Sequence, residues 1–468
     1  MSSLKMSFYN SLPTSLQNLA VSIHGLRLKR REYGDQFERL LEQFDQQQWF
    51  SESELLEYQN EQLRNIVKHA YQTVPFYRNQ FETIKLHPSD IRTVADIFKI
   101  PITDSEILDN NQKQMISNAA GSGDRIKGHT SGTTGRSKEV LYDRRVCLVK
   151  NAVDWRFKKN CGIEVGDPVA FFMGQGVVPI DQKKPPFWRK NIVLNQLFFS
   201  IFHFSPLWHD HYIDALKNFG ASAMDGYPST ISMFGEALLA RNCSHKLKAA
   251  FVTSEMQMPH QRKLIENAFQ CQVFDYYGMA ERTVFATECE EHKGLHLNTD
   301  FGFCELLDEN DEPVLPGSSG RVVVTGWHNY TMPLIRYRTN DRATLATEKC
   351  PCGRGFPLLA SIDGRQEDQI TTPDGRYLDV SFAYSSFSAV QDKILESQIY
   401  QEASGRIILR IVPRPNFTIQ DADCLIEGIK RFAGSDATVI VQTLNEIPRS
   451  ATGKFRWLVS DVPRRIHS

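Results

Sequence analysis

Helical and strand-like periods of apolar residues succeed one another along this chain. Leu16, Leu19, Ile23 and Leu26 form a helical stripe that runs into the basic segment Arg27 to Arg31. This predicts a helix packed on the body with its basic end in solvent; the alternative is docking to an acidic membrane or a partner. Ser51 caps a second helix carrying Leu55, Leu56, Leu63, Ile66, Val67 and Ala70, which stops at Pro75. Another helical stretch ends before Pro101, and Thr103 or Asp104 caps the next one. From about residue 165 the two periods alternate. Val169 to Met173, Ala249 to Thr253 and Cys271 to Tyr277 read as strands, with helices at His211 to Phe219 and Pro259 to Phe269 between them.

Strands separated by helices predict an α/β domain with a mainly parallel sheet, whose ligands sit beyond the carboxyl ends of the strands. After Thr299 short strands and turns take over (Phe301 to Leu307, Gly320 to Thr325, Ala343 to Ala346), a β-rich subdomain of about residues 299–362. A boundary near Asp363-Gly364-Arg365 separates a large domain, 1–363, from a small α+β unit, 364–468. The large domain opens with a helical segment of about 1–100. The small one holds a hairpin turning at Pro373-Asp374-Gly375, strands at Arg406 to Val412 and Ala437 to Gln442, and a helix at Asp421 to Phe432.

Composition changes this picture little. With 54 basic against 55 acidic residues the formal charge is −1, which gives no electrostatic reason to expect nucleic acid. The N-terminus lacks the apolar core of a signal peptide. Ile192 to Trp208 is apolar but too short and too polar to span a bilayer, and reads as core. Nine cysteines, mostly scattered singly, suit a reducing compartment, the cytoplasm.

The most informative stretch is Gly128-His129-Thr130-Ser131-Gly132-Thr133-Thr134-Gly135-Arg136-Ser137-Lys138. Its glycines let backbone N–H groups converge on an anion, its hydroxyls add donors and Lys138 adds a point charge, which together suit a polyphosphate. The kinase and ATPase P-loop is excluded, because Gly132 and Gly135 are only two residues apart and Glu139 follows Lys138. A mobile polar loop is the plain alternative.

Thr130 to Gly135, Tyr277-Gly278-Met279-Ala280-Glu281, Arg338-Thr339-Asn340-Asp341, Gly364-Arg365-Gln366-Glu367-Asp368 and Pro448 to Lys454 occur in the order used by the adenylate-forming superfamily. The chain resembles its phenylacetate-CoA ligase branch, particularly the CapK-like proteins of surface-polysaccharide loci; Val74-Pro75-Phe76-Tyr77-Arg78 and Cys350-Pro351-Cys352-Gly353 support this placement. The resemblance implies attack of a small-molecule carboxylic acid on the α-phosphate of ATP, release of pyrophosphate, and transfer of the acyl group from acyl-AMP to an acceptor thiol, such as CoA, or to an amine. It also implies a mobile C-terminal lid with a hinge near Glu367-Asp368.

In this scheme Thr130, Ser131, Gly132, Thr133, Thr134, Gly135 and Lys138 hold phosphates, and Ser254-Glu255-Met256 forms a wall beside the adenine. Tyr277 and Gly278 offer the base a flat face. Asp341 and Arg365 take the ribose hydroxyls, Glu281 holds Mg²⁺, and Lys454 reaches the carboxylate and α-phosphate. The acyl pocket falls to Phe171 to Gly176 and Phe198 to Trp208, with Gln196, His203 and Tyr227 as polar members. Ala280 departs from the family's hydroxyl-bearing residue, so its contact is lost unless Thr283 or a water replaces it. A catalytically impaired nucleotide-binding scaffold is therefore the second reading. Cys289, His296, Cys350 and Cys352 form a closed Cys₃His set suited to structural zinc, as related ligases are reported to carry, with His292 an alternative to His296. No transmembrane segment is predicted, peripheral membrane association stays open, and neither the acid nor the oligomeric state is legible.

Overall fold

The computed structural model describes residues 8–121, 125–129, 139–174, 176–365, 369–373, 377–379, 387, 390–450 and 453–462. The chain forms two compact units, one of Met1–Thr339 with Thr344–Ser361, the other of Asn340–Ala343 with Ile362–Ser468.

A hairpin, β1 (Ile126–His129) and β2 (Glu139–Tyr142), precedes the main sheet. That sheet is built from β3 (Val169–Phe172), β4 (Trp188–Asn191), β5 (Gln196–Phe199), β6 (Ala223–Gly226), β7 (Ala249–Thr253), β8 (Gln272–Gly278), β9 (Phe285–Thr287), β10 (Leu295–Leu297), β11 (Gly302–Leu307), β12 (Ser319–Gly326), β13 (Tyr337–Leu345) and β14 (Leu358–Arg365). Their order is β11-β12-β13-β14-β10-β9-β8-β7-β6-β3-β5-β4. From β5 through β3, β6 and β7 to β8 the pairs are parallel; β4–β5, β8–β9, β9–β10, β10–β14 and β11–β12 are antiparallel. The expected parallel α/β sheet and β-rich subdomain are thus two halves of one continuous sheet.

Both faces of the parallel half are buried, which is why its strands read as unbroken apolar runs. Along β7 the side chains alternate: Ala250 and Val252 join one cluster with Phe172, Phe199, Tyr212, Phe234 and Phe269. Ala249 and Phe251 join another with Phe37, Phe44, Leu148, Val153 and Phe157. Helices His209–Phe219, Pro228–Leu239 and Pro259–Phe269 supply the first cluster, and Asp35–Gln47 and Arg144–Asn160 the second.

At Ser51 the expected start of the helix Glu52–Thr73 is a capping box, the Ser51 hydroxyl accepting from the Glu54 N–H while the Glu54 carboxylate accepts from the Ser51 N–H. Asp104, not Thr103, caps Ser105–Asn111. Thr103 is buried and pairs with the chain around Arg336 instead.

Two expectations are corrected. The helix Thr14–Glu32 does pack on the body, but through Gln17, Ser22 and Gly25, so its apolar stripe faces outward. Ile192 to Trp208 is not uniformly core: Leu197 and Phe199 are buried in β5, whereas Ile192 and Leu207 are exposed because they sit in the connections on either side.

The second unit contains β15 (Gln369–Thr371), β16 (Tyr377–Asp379), β17 (Ile394–Gln401), β18 (Ile407–Pro413), β19 (Val439–Thr443) and β20 (Leu458–Ser460). The last four form a sheet of order β19-β18-β17-β20 beside the helix Ile419–Ala433. Gln401 is fully buried, and its amide exchanges hydrogen bonds of 2.8 and 2.7 Å with the Thr371 backbone, tying the β15–β16 hairpin to this sheet.

Candidate active site and metal centre

Parallel strands end together, and the residues after β6, β7 and β8 therefore line one edge of the sheet. Tyr227 follows β6, Ser254-Glu255-Met256 follow β7, and Tyr277-Gly278 close β8. Thr253 is in register with Tyr276, which makes Ser254 and Tyr277 the next positions on adjacent strands. The Thr253 hydroxyl donates to the Tyr276 carbonyl at 2.8 Å, and Glu255 accepts from the Ser229 N–H at 3.3 Å, so both turns are held from the side. Ser254 has a left-handed backbone, φ 69°, and so does Arg282, φ 55°. For residues with a Cβ this is a strained conformation, costing about 1–3 kcal/mol each, and it recurs at ligand sites.

Glu281 lies in the connection between β8 and β9 and is buried. The Tyr142 hydroxyl donates to the Ala280 carbonyl, fixing this connection to β2. Burial pushes the Tyr142 phenol up to about 12, with the Arg282 guanidinium, stacked 4.4 Å from its ring centre, opposing the shift. A Cβ at Gly128 would fall 2.1 Å from the Tyr142 hydroxyl, so this glycine is needed for the ring to cross the hairpin. Thr283 is buried and its hydroxyl donates to the Met279 sulfur at 3.1 Å, so in this arrangement it does not replace the hydroxyl missing at Ala280. Thr130, Ser131, Gly132, Thr133, Thr134, Gly135 and Lys138 lie outside the described residues, in the connection between β1 and β2.

The other expected residues belong to the second unit. Asp341 lies in β13 and Arg365 ends β14, strands that neighbour each other. Lys454 is half-buried in a loop closed on itself: its N–H donates to the Ser450 hydroxyl at 3.0 Å, its carbonyl accepts from the Ser450 N–H at 3.0 Å, and Gly453 takes φ 75°. Only glycine adopts that angle without strain, so the sequence Gly453-Lys454 fixes where the lysine leaves the backbone.

Behind Tyr227 and Tyr277 lies a buried ionic cluster that the sequence reading missed. Lys158 Nζ is 3.0 Å from Asp225 in β6 and 3.3 Å from Asp154, and the Tyr276 hydroxyl donates to Asp225 at 3.1 Å. Burial lowers the Lys158 pKa, but Asp154 and Asp225 more than offset this and hold the lysine charged. The available signal was the aspartate inside the otherwise apolar Ala223-Met224-Asp225-Gly226, which calls for a buried partner. Of the proposed acyl-pocket polar groups, Gln196 accepts from Asn191 at 3.0 Å and His203 bonds to Ser200 at 2.8 Å, so both are locally engaged.

Cys289, His296, Cys350 and Cys352 converge, with all four ligand atoms within 4.8 Å of one another. Cys289 and Cys350 sulfurs are 3.5 Å apart, and Cys352 Sγ lies 3.3 Å from His296 Nε2. Tetrahedral zinc with bonds of about 2.3 Å to sulfur and about 2.0 Å to nitrogen needs spacings near 3.5–3.8 Å; these two pairs fit within a few tenths, and the set as a whole, spanning up to 4.8 Å, would close by at most about 1 Å around an ion. Burial pushes the Cys289 and Cys350 thiols up. At Cys352 the same effect is outweighed by the Arg354 N–H groups, which hold that thiol below its ordinary value. His292 points elsewhere, accepting from Arg262 at 3.1 Å beside Glu288.

Comparison with known proteins agrees with this architecture. Residues 370–461 match the CapK C-terminal domain family. Protein CapK of Staphylococcus aureus is 28% identical over 97% of this chain and 99% of its own length. The phenylacetate-coenzyme A ligase of Aromatoleum evansii is 28% identical over 68% of this chain and 72% of its own. The fold matches 2-hydroxyisobutyryl-CoA ligase, crystallised in a postadenylation state, with TM-score 0.72 and 20% identity over 88% of this chain and 91% of that one. The molecule is an adenylate-forming ligase. Within that class its sequence is similar to the phenylacetate-coenzyme A ligases over about two thirds of the chain and to protein CapK over nearly all of it.

Proposed function

We propose that this enzyme activates a small carboxylic acid with ATP, giving acyl-AMP and pyrophosphate, and passes the acyl group to an acceptor. The observation that carries the reading is the meeting of Ser254-Glu255-Met256 with Tyr277-Gly278 at adjacent strand ends, and Glu281 in the following connection. A nucleotide base laid against Tyr277 would direct its phosphates toward the connection between β1 and β2, where Thr130 to Gly135 and Lys138 offer donors to the charge that builds on the phosphoryl oxygens. Glu281 would hold Mg²⁺, which neutralises phosphate charge when bound. Asp341 and Arg365 would orient the ribose, and Lys454 would meet the carboxylate as it attacks.

CoA is the acceptor best supported, since the phenylacetate-CoA ligases are among the relatives; an amine, giving an amide during surface-polysaccharide synthesis, is the alternative acceptor in this reading. The Cys₃His centre would hold structural zinc, all four positions being protein ligands.

Ala280, with Thr283 committed to Met279, favours a second reading, a nucleotide-binding scaffold without turnover. Pyrophosphate release measured over a panel of acids separates the two. Acid-dependent release that falls by more than about 100-fold in Lys454→Ala is expected for the ligase. Unchanged release in that variant refutes the mechanism, and ATP binding without turnover on any acid favours the scaffold.

A further inference from the structure

The helix Thr14–Glu32 runs along β4, the edge strand of the large sheet, with its polar side inward. Gln17 accepts from Arg189 Nε at 2.6 Å, and Asn18 accepts from the Lys190 N–H at 2.9 Å. The Ser22 hydroxyl donates to the Lys190 carbonyl at 3.4 Å and accepts from the Ile192 N–H at 3.2 Å. Gly25 comes so close that a Cβ would meet the Asn191 side-chain oxygen at 2.2 Å. An edge strand leaves a row of backbone groups unpaired, and a helix that satisfies them must turn polar residues toward the protein.

The consequence is an apolar stripe turned to solvent. Leu16, Leu19, Ile23 and Leu26, spaced by three, four and three residues, are 44%, 54%, 47% and 39% exposed, and Ile192 beside Ser22 is 71% exposed. Arg27 and Arg30 continue the same side by one turn, with Lys29 and Arg31 beside them. No acidic residue occurs between Thr14 and Arg31, and Glu32 pairs with Arg31. No described helix is long and apolar enough to cross a membrane.

We propose that this helix docks the enzyme on an anionic lipid surface, with Leu16, Leu19, Ile23 and Leu26 in the acyl boundary and Arg27, Lys29 and Arg30 among the lipid phosphates. Exposed apolar residues continued at the C-terminal end of the helix by cations offer hydrocarbon and charge together to a surface of acyl chains and lipid phosphates. Charge complementarity selects the occupant: a second copy would bring the same cations and no acidic residue on this helix to meet them.

The test is co-sedimentation with phosphatidylcholine vesicles with and without phosphatidylglycerol, for the full chain and two variants. Wild type should bind the mixed vesicles and lose binding as salt is raised. Leu19→Glu with Ile23→Glu should weaken binding more than about tenfold, and Arg27→Gln with Arg30→Gln by about fivefold per residue, both keeping the wild-type unfolding midpoint. Failure of wild type to bind phosphatidylglycerol vesicles overturns the proposal, as does binding untouched by the glutamates. A wild-type dimer that the Leu19→Glu, Ile23→Glu variant turns into a monomer also overturns it, by giving the stripe to a second copy.

Discussion

Replacing Cys289 by serine tests the metal centre and what it does for the fold. Cys289 follows β9, while Cys350 and Cys352 lie between β13 and β14, so a shared ion would close a loop across the antiparallel half of the sheet. Cys289 and Cys350 are 61 residues apart in the chain. A cross-link closing a loop of that length removes about 14 cal/mol/K of entropy from the unfolded chain, equivalent to about 4 kcal/mol at 25 °C. The host unit has roughly 360 residues, and at about 2.1 cal/mol/K per residue its unfolding entropy is about 0.75 kcal/mol/K. Losing the clip should therefore lower Tm by about 5 °C.

Scanning calorimetry beside elemental analysis of reduced, zinc-replete protein is the assay. Wild type should carry one zinc per chain, Cys289→Ser should lose both the zinc and about 5 °C, and Cys424→Ser, at an exposed thiol outside the cluster, should lose neither. Absence of zinc from wild type, or a Cys289→Ser protein that keeps its zinc and melts within about 1 °C of wild type, would refute the reasoning.

Lys158→Met leaves Asp225 buried without its cation, while Asp154 keeps Lys150 at 3.3 Å, and should cost about 3 kcal/mol in denaturant unfolding; adding Asp225→Asn should recover part of it, and a Lys158→Met loss under about 1 kcal/mol would show the cluster to be solvated. Gly302→Ala places a Cβ 1.9 Å from the Thr283 carbonyl oxygen, and should cost at least about 2 kcal/mol through displaced backbone, read as a lowered midpoint. At Asp275, burial and then the neighbouring Glu288 push the carboxyl up to about 8, with Arg262 opposing. Unfolded aspartate titrates near 4, so the fold binds the extra proton between those values and stability falls as pH rises through that window. Asp275→Asn removes the loss, and should gain more than about 1 kcal/mol on wild type between about pH 5 and about pH 8; a constant difference across the range would refute the assignment.

How much was legible follows from where each residue's partner comes from. Strands β3, β7 and β8 and the helix Pro259–Phe269 announce themselves, because local apolar runs suffice to bury them. The helix Arg144–Asn160 does not. It is buried around most of its circumference, and several of its charged positions find partners distant in sequence: Arg156 meets Asp300, in the turn between β10 and β11, and Lys158 meets Asp225 in β6. A periodicity rule reads those charges as solvent-facing and finds no stripe. Polar residues likewise conceal the start of β13, which begins at Tyr337 and carries Arg338 to Asp341 in a strand that the apolar pattern marks only from Ala343.

The metal set was legible from Cys-x-Cys spacing, but the choice between its histidines was not. His296 sits in β10, between Leu295 and Leu297, and strand alternation turns its side chain opposite to theirs, whereas His292 lies four residues from Glu288 in the preceding turn and spends its ring there. The N-terminal helix shows the same logic reversed. Its apolar period was read correctly, and the side it would bury was not, because β4 asks for hydrogen-bond partners where a sheet face asks for hydrocarbon. A stripe left outward for that reason is free to serve association, and its cations at one end give that association a direction.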